Sequence, residues 1–310
     1  MKIIRGLRGL PRFTAATAVT LGNFDGVHRG HQMLIDGVRQ QAATHGLLAA
    51  VVVFEPQPLE YFRPDDAPPR IYSLAEKLRA LRAHRVDVAC VLPFNAALAA
   101  QTPTEFVETV LVHGLQARLL LVGDDWRFGK DRAGDVAFLR ARQSVYGYVV
   151  EQAPTLRAEG ERVSSTRVRE MLAAGRADDA AGLLGRPYAL RGQVIEGQQL
   201  GRTIGAPTAN VRLRRDPPLR HGVYTVWLDG LPAVGNFGTR PTVAGGRPQL
   251  EVHVLDRQID LYNRTVRVQW GGWLRPEMRF DGIEALAAQI QADFAAAREW
   301  HRHHPRPSKA

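Results

Sequence analysis

Five predominantly apolar runs, at residues 18–22, 47–54, 86–92, 117–123 and 146–151, separate helix-forming stretches in the first part of this chain. A run with apolar residues on both faces leaves no side for water, so each reads as a parallel strand covered by helices on both sides. Two intervening segments carry their own start signals. Ser73-Leu74-Ala75-Glu76 and Thr102-Pro103-Thr104-Glu105 have capping-box form, the second with proline at the first helical position. This alternation predicts a doubly wound α/β domain with a five-stranded parallel sheet. Ligands of such sheets sit beyond the carboxyl ends of the strands.

The loops expected at that edge carry the chemistry. The first run ends in Gly22-Asn23-Phe24-Asp25-Gly26-Val27-His28-Arg29-Gly30-His31, followed by apolar residues at helical spacing as far as Val38. His28 and His31, three apart, share one face of the helix start. Glycines let backbone amides approach a ligand, and a helix N-terminus supplies unpaired N–H groups, which together suit a phosphate chain. The plainer alternative is a strand–turn–helix with two exposed histidines. Phe54-Glu55-Pro56-Gln57-Pro58 follows the second run, and Gly123-Asp124-Asp125-Trp126-Arg127-Phe128-Gly129 follows the fourth. Three polar loops are thus expected on one rim. Farther on, Ser164-Ser165-Thr166-Arg167-Val168-Arg169 opens another helix. Its hydroxyls read as caps. Two arginines in a first turn would oppose the helix dipole unless an anion sat among them. The segment, with Arg169, is therefore a candidate second phosphate clamp, expected on the same rim.

The period changes at Leu183-Leu184-Gly185-Arg186-Pro187. Beyond it, Leu250, Val252 and Val254 alternate with Glu251 and His253, and Val266, Val268 and Trp270 alternate with Arg267 and Gln269. That is half-buried antiparallel sheet, expected to close into a small β-barrel. Ile283, Leu286, Ala287, Ile290, Phe294 and Ala297 form one stripe of a closing helix. Residues 301–310, with His301, His303 and His304, read as a frayed, solvated tail. The expected domains are residues 1–183 and 184–310. The second has its own loop, with Gly197, Gly201 and Gly205 four residues apart, leading to Ala206-Pro207-Thr208-Ala209-Asn210. It lacks the Gly-Lys-Ser/Thr ending of a Walker A loop. Thr208 and Asn210 offer a hydroxyl and an amide to a magnesium ion and its phosphates. Glu251 is either a solvated strand carboxylate or a base for a substrate hydroxyl.

Composition excludes several classes. No apolar run approaches the roughly 18 residues of a membrane span, and the N-terminal region lacks the pattern of a secretory signal. The single cysteine, Cys90, sits in an apolar run and reads as a buried structural thiol. A reducing cytoplasm is the expected setting. The formal charge of +10 is carried almost wholly by arginine scattered among acids, with lysine only at Lys2, Lys77, Lys130 and Lys309. The densest basic patch, Arg212-Leu213-Arg214-Arg215, is short. A nucleic-acid binder on a basic barrel ranks far below a phosphate-handling enzyme.

These motifs, in this order, closely resemble the prokaryotic bifunctional riboflavin kinase/FMN adenylyltransferases, or FAD synthetases. The resemblance runs from about Thr17 to Arg298 and rests on the 22–31 loop, Phe54-Glu55-Pro56, Ser164–Arg169, Leu184-Gly185-Arg186-Pro187-Tyr188 and Gly205-Ala206-Pro207-Thr208-Ala209-Asn210. It implies a nucleotidyltransferase of doubly wound α/β fold followed by a kinase barrel with its closing helix. It implies that the barrel phosphorylates riboflavin from ATP, with Glu251 as base and Gly197, Gly201, Gly205, Thr208 and Asn210 around Mg2+ and ATP. It further implies that the first domain joins FMN to AMP, giving FAD and pyrophosphate. The ATP-phosphate positions there would be Gly22, Phe24, Asp25, Gly26, His28, His31, Ser165, Thr166 and Arg169, and those of the flavin and nucleotide rim Pro56, Pro58, Asp125 and Arg127. FMN phosphate is already a nucleophile, so that half needs charge stabilisation more than a base. Three positions depart from the family pattern: Gln57 replaces a histidine, Trp126 a smaller aromatic and Ala206 a phenylalanine. Gln57 keeps the competing reading of a weak or absent adenylyltransferase open. The expected partners are riboflavin, FMN and ATP, without nucleic acid or membrane, in a monomer or weak homo-oligomer.

Overall fold

The computed structural model describes residues 1–7, 15–196, 206–239, 248–257 and 259–305. The chain divides into two compact units, residues 1–68 with 77–164 and residues 69–76 with 165–310.

The first unit is built on a six-stranded sheet of order β1-β4-β3-β2-β5-β6, parallel throughout. Its strands are β1 (Lys2–Arg5), β2 (Thr17–Leu21), β3 (Leu48–Glu55), β4 (Val88–Pro93), β5 (Ala117–Gly123) and β6 (Val149–Ala153). Every residue of β2 is buried, as a central strand covered on both faces requires. The sequence pattern missed β1, because only Ile4 of its four residues is buried and an edge strand shows no apolar run. It also started β6 three residues early. Tyr146 ends a short helix, Gln143–Tyr146, and Gly147 breaks it at φ 68°. Strands β2, β3 and β4 step one way across the sheet while β5 and β6 lie on the other side of β2. The order therefore reverses between β2 and β5, and sheets of this kind bind ligands at such a reversal, beyond the carboxyl ends of the strands.

Thr102 and Glu105 cap each other as the sequence predicts. The Thr102 N–H donates to Glu105 Oε2 at 2.7 Å and the Glu105 N–H to Thr102 Oγ1 at 3.2 Å. Cys90, fully buried on β4, is structural, and burial pushes its thiol up to about 12. A thiol so placed is almost wholly protonated at neutral pH and shielded from reagents. Ellman's reagent should leave the native protein unlabelled and titrate one thiol after denaturation; rapid native labelling would contradict this placement. A two-stranded hairpin, β7 (Arg157–Ala158) with β8 (Glu161–Arg162), completes this unit's sheets.

The second unit contains the closed barrel, of order β10-β13-β12-β11-β14-β9 and antiparallel throughout. Its strands are β9 (Ala189–Ile195), β10 (Ala209–Leu213), β11 (Gly222–Leu228), β12 (Leu231–Gly238), β13 (Gln249–Val254) and β14 (Thr265–Arg275). Along β13 the alternation holds: Leu250, Val252 and Val254 are buried and Glu251 and His253 half-buried. A closing helix, Ile283–His303, follows. Its core contacts begin at Ile290. Ile290, Phe294 and Ala297 pack with Ala206, Val223, Val234 and Leu255, whereas Ile283 is 63% exposed, so the predicted stripe overreaches at its start. The stripe also left out Asp293, whose buried carboxylate accepts from Arg275 Nη2 at 2.7 Å and Nε at 2.9 Å. The frayed tail is corrected for residues 301–303. The helix runs through them, and the half-buried His301 ring stands edge-on to Trp227 at 4.4 Å with Nε2 3.2 Å from the Ala233 oxygen. No helix among the described residues is long and apolar enough to cross a membrane.

Candidate active sites

The 22–31 loop leaves β2 at the reversal point. The ladder continues one residue past the strand, the Gly22 N–H donating to the Val52 oxygen at 3.1 Å. The chain then turns through left-handed backbone at Phe24 (φ 47°), Gly26 (φ 77°) and Val27 (φ 44°). Glycine accepts that region freely, but a phenylalanine and a β-branched valine pay strain there, and such strain persists where a site holds it. Phe24, Asp25 and Val27 are all buried. His28 is the N-cap of the helix Arg29–His45. Its Nδ1 accepts from the His31 N–H at 3.4 Å. An Nδ1 that accepts leaves Nε2 to carry the ring proton as a donor. The His28 and His31 rings stack at 3.6 Å and 20°, and Phe24 lies 4.9 Å from His31. Gly30 leaves room for this stack, since a Cβ there would stand 3.2 Å from the His28 ring and 3.4 Å from the Val163 oxygen. The glycines thus serve separate ends: Gly26 a left-handed turn, and Gly30 room for an imidazole.

Two more loops leave the same edge from the strands flanking β2. After β3, Pro56 is exposed, Gln57 is buried, and Pro58 begins the short helix Pro58–Phe62. Leu59, Tyr61 and Phe62 of that helix are exposed, with both rings packed edgewise against Phe94. Gln57 donates its backbone N–H to Glu60 Oε2 at 2.9 Å, while its buried side-chain Nε2 has no partner among the described residues. After β5, Asp125 pairs with Arg162 at 2.8 Å and Arg127 with Asp135 at 2.9 Å. The hydrogen bond from Arg162 lowers the Asp125 carboxyl below its usual range. Trp126 stacks on Phe128 at 4.6 Å and 14°. Pro56, Pro58, Asp125 and Arg127 therefore join the 22–31 loop on one edge, as their order in the chain predicts.

Ser165, Thr166 and Arg169 belong to the second unit. Ser165 is the first residue of the helix Ser165–Ala173, so Arg169 stands in its second turn rather than its first. Its Nε donates to the Pro69 oxygen at 2.7 Å. In the barrel, Asn210 on β10 lies directly opposite Glu251 on β13, and Asn236 on β12 is the opposite neighbour of Glu251 on the other side. Side chains of opposed residues share one face. A carboxylate is therefore flanked by two amides, with Thr208 two residues before Asn210. Asn236 was invisible to sequence reading, because only the barrel's register brings it beside Glu251. His253, two residues beyond Glu251, bonds through Nδ1 to the Pro207 oxygen at 2.9 Å and stacks on Phe294 at 4.1 Å and 12°. Burial pushes its imidazole below the usual histidine value. Gly197, Gly201 and Gly205 lie outside the described residues.

Two family models match the chain, FAD synthetase over residues 10–167 and riboflavin kinase over residues 184–301. A bifunctional riboflavin kinase/FMN adenylyltransferase of Pseudomonas fluorescens is 46% identical over 303 residues, covering 96% of this chain and 97% of that protein. The protein of the same name from Escherichia coli strain K12 is 45% identical over 306 residues, covering 97% and 98%. A solved structure described as a macrolide-efflux protein from Streptococcus pneumoniae has a TM-score of 0.85 at 30% identity, covering 97% of this chain and all of that one.

Proposed function

The chain belongs to the bifunctional riboflavin kinase/FMN adenylyltransferases, and from that premise we propose how its residues divide two reactions between two sites. It phosphorylates riboflavin to FMN with ATP, then adenylylates FMN to FAD. The observation that carries our reading of the first reaction is the pairing of Asn210 with Glu251 across β10 and β13. Glu251 accepts the proton of the riboflavin 5′-hydroxyl as the hydroxyl oxygen attacks the γ-phosphorus of ATP, and ADP leaves. Thr208 and Asn210 hold the nucleotide phosphates and Mg2+. Hydroxyl, amide and carboxylate oxygens are the hard donors that this ion takes, and no group of three His, Cys, Asp or Glu among the described residues forms a metal cage. A few protein oxygens completed by substrate phosphates are how Mg2+ is ordinarily held. When bound, it neutralises charge on the transferring phosphate.

For the second reaction, FMN phosphate attacks the α-phosphorus of ATP, and pyrophosphate leaves. The His28 Nε2–H and the amides at the start of the helix Arg29–His45 stabilise the charge that builds there. The buried Gln57 amide donates to substrate as a neutral group in place of a histidine. The exposed Tyr61 and Phe62 offer apolar surface to the flavin ring at the rim formed by Pro56 and Pro58. Asp125 and Arg127 complete the nucleotide side. Riboflavin, FMN and ATP are the partners, the protein works in the cytoplasm as a monomer or weak homo-oligomer, and nucleic acid plays no part. Incubation with riboflavin, ATP and Mg2+, with products separated by chromatography, should yield FMN and then FAD. Chelating the metal should stop FMN formation. Accumulation of FMN without FAD at high ATP would contradict a working adenylyltransferase.

A further inference from the structure

We infer that His253 is a positioning residue of the kinase reaction, its Nδ1–H fixing the Pro207 carbonyl and with it the placement of Thr208 and Asn210 for ATP. The inference rests on the reading of Thr208 and Asn210 as nucleotide contacts. Strand β10 begins at Ala209, so Pro207 and Thr208 lie outside the ladder that holds Asn210. Proline has no N–H, and a backbone hydrogen bond to Pro207 can be made only at its carbonyl. That carbonyl accepts from His253 at 2.9 Å. The residue before it, Ala206, is buried in the cluster formed with the closing helix. The plane of the His253 ring is set by Phe294 of that helix, at 4.1 Å and 12°.

Glu251 and His253, two apart on β13, share a face. One strand thus carries both the base and the group that pins the nucleotide segment opposite it. A carbonyl only accepts, so the ring must bear its proton on Nδ1. Burial favours the neutral imidazole, which has that one N–H to give. A side chain needed only as filler would be set by its ring. One needed to hold Pro207 is set by its donor.

Two substitutions in the full-length protein separate these roles. His253→Phe keeps an aromatic ring against Phe294 and removes the donor. His253→Asn removes the ring and keeps an N–H donor two bonds from Cβ, close to the position of Nδ1. His253→Phe should raise KM for ATP in the kinase reaction about tenfold, the worth of one hydrogen bond. KM for riboflavin and the rate of FAD formation from supplied FMN should stay within about twofold. His253→Asn should return KM for ATP to near the wild-type value. A wild-type KM for ATP in His253→Phe, or an equal defect in both variants, would overturn the inference. Adenylylation of FMN reports folding of the remainder. Thr208→Val tests the underlying reading separately. If it leaves KM for ATP unchanged, the assignment of Thr208 fails; if it raises that KM while His253→Phe does not, only the role of His253 fails.

Discussion

Glu251→Gln should reduce FMN formation from riboflavin by about 10²–10⁴-fold, the span of a positioned general base. Glutamine keeps the size and hydrogen-bonding reach of the side chain but cannot take a proton at neutral pH. The half-buried position has space for that change, flanked by Asn210 and Asn236 on the neighbouring strands. Both cross-strand neighbours are amides, which can hydrogen-bond a glutamine as they do a glutamate. The barrel should therefore stay folded, and adenylylation of supplied FMN should remain within about twofold of wild type. Chromatography of flavin products from two reactions, one started with riboflavin and one with FMN, checks both halves. An undiminished kinase rate would show that Glu251 is a solvated strand carboxylate.

The reciprocal result is expected at His28. Its cap accepts the His31 N–H and its Nε2 carries the donor proposed for phosphate. Asparagine is among the best N-caps, so His28→Asn retains the cap, whose loss in His28→Ala would cost about 1 kcal/mol of stability. It removes the imidazole donor and the stack on His31 at 3.6 Å. FAD formation from FMN should fall about 10²–10³-fold, as when one preorganised donor to a developing charge is lost. Riboflavin phosphorylation should be unaffected. Comparable FAD synthesis by His28→Asn would leave His28 a capping residue only.

The parallel sheet was legible because strands covered on both faces are rich in apolar residues on both, and the loops on its carboxyl edge followed from chain order alone. The edge strand Lys2–Arg5 was not, since one buried residue makes no pattern. The barrel was legible as alternation along Leu250, Val252 and Val254, but its register was not. Asn236 became visible beside Glu251 only once β12 lay against β13. The closing helix was recognised by its stripe, yet the stripe could not show that its first turns overhang the barrel. Nor could it reveal a buried Arg275–Asp293 pair joining two elements. The resemblance marked Glu251, Thr208, Asn210, His28 and His31. The bond from His253 and the strained backbone at Phe24 and Val27 are visible only in the folded chain, since no periodicity announces a bond to a proline carbonyl or a left-handed valine.

If two independent sites on one chain act in sequence through FMN, variants that each lack one site should complement each other. Mixing Glu251→Gln with His28→Asn tests this most directly. Each variant alone should make little FAD from riboflavin and ATP, one for want of FMN and the other for want of adenylylation. Together they should make FAD at a rate approaching wild type, as FMN released by one variant is consumed by the other. A mixture that stays inactive, although each variant keeps its own half-reaction, would contradict the account.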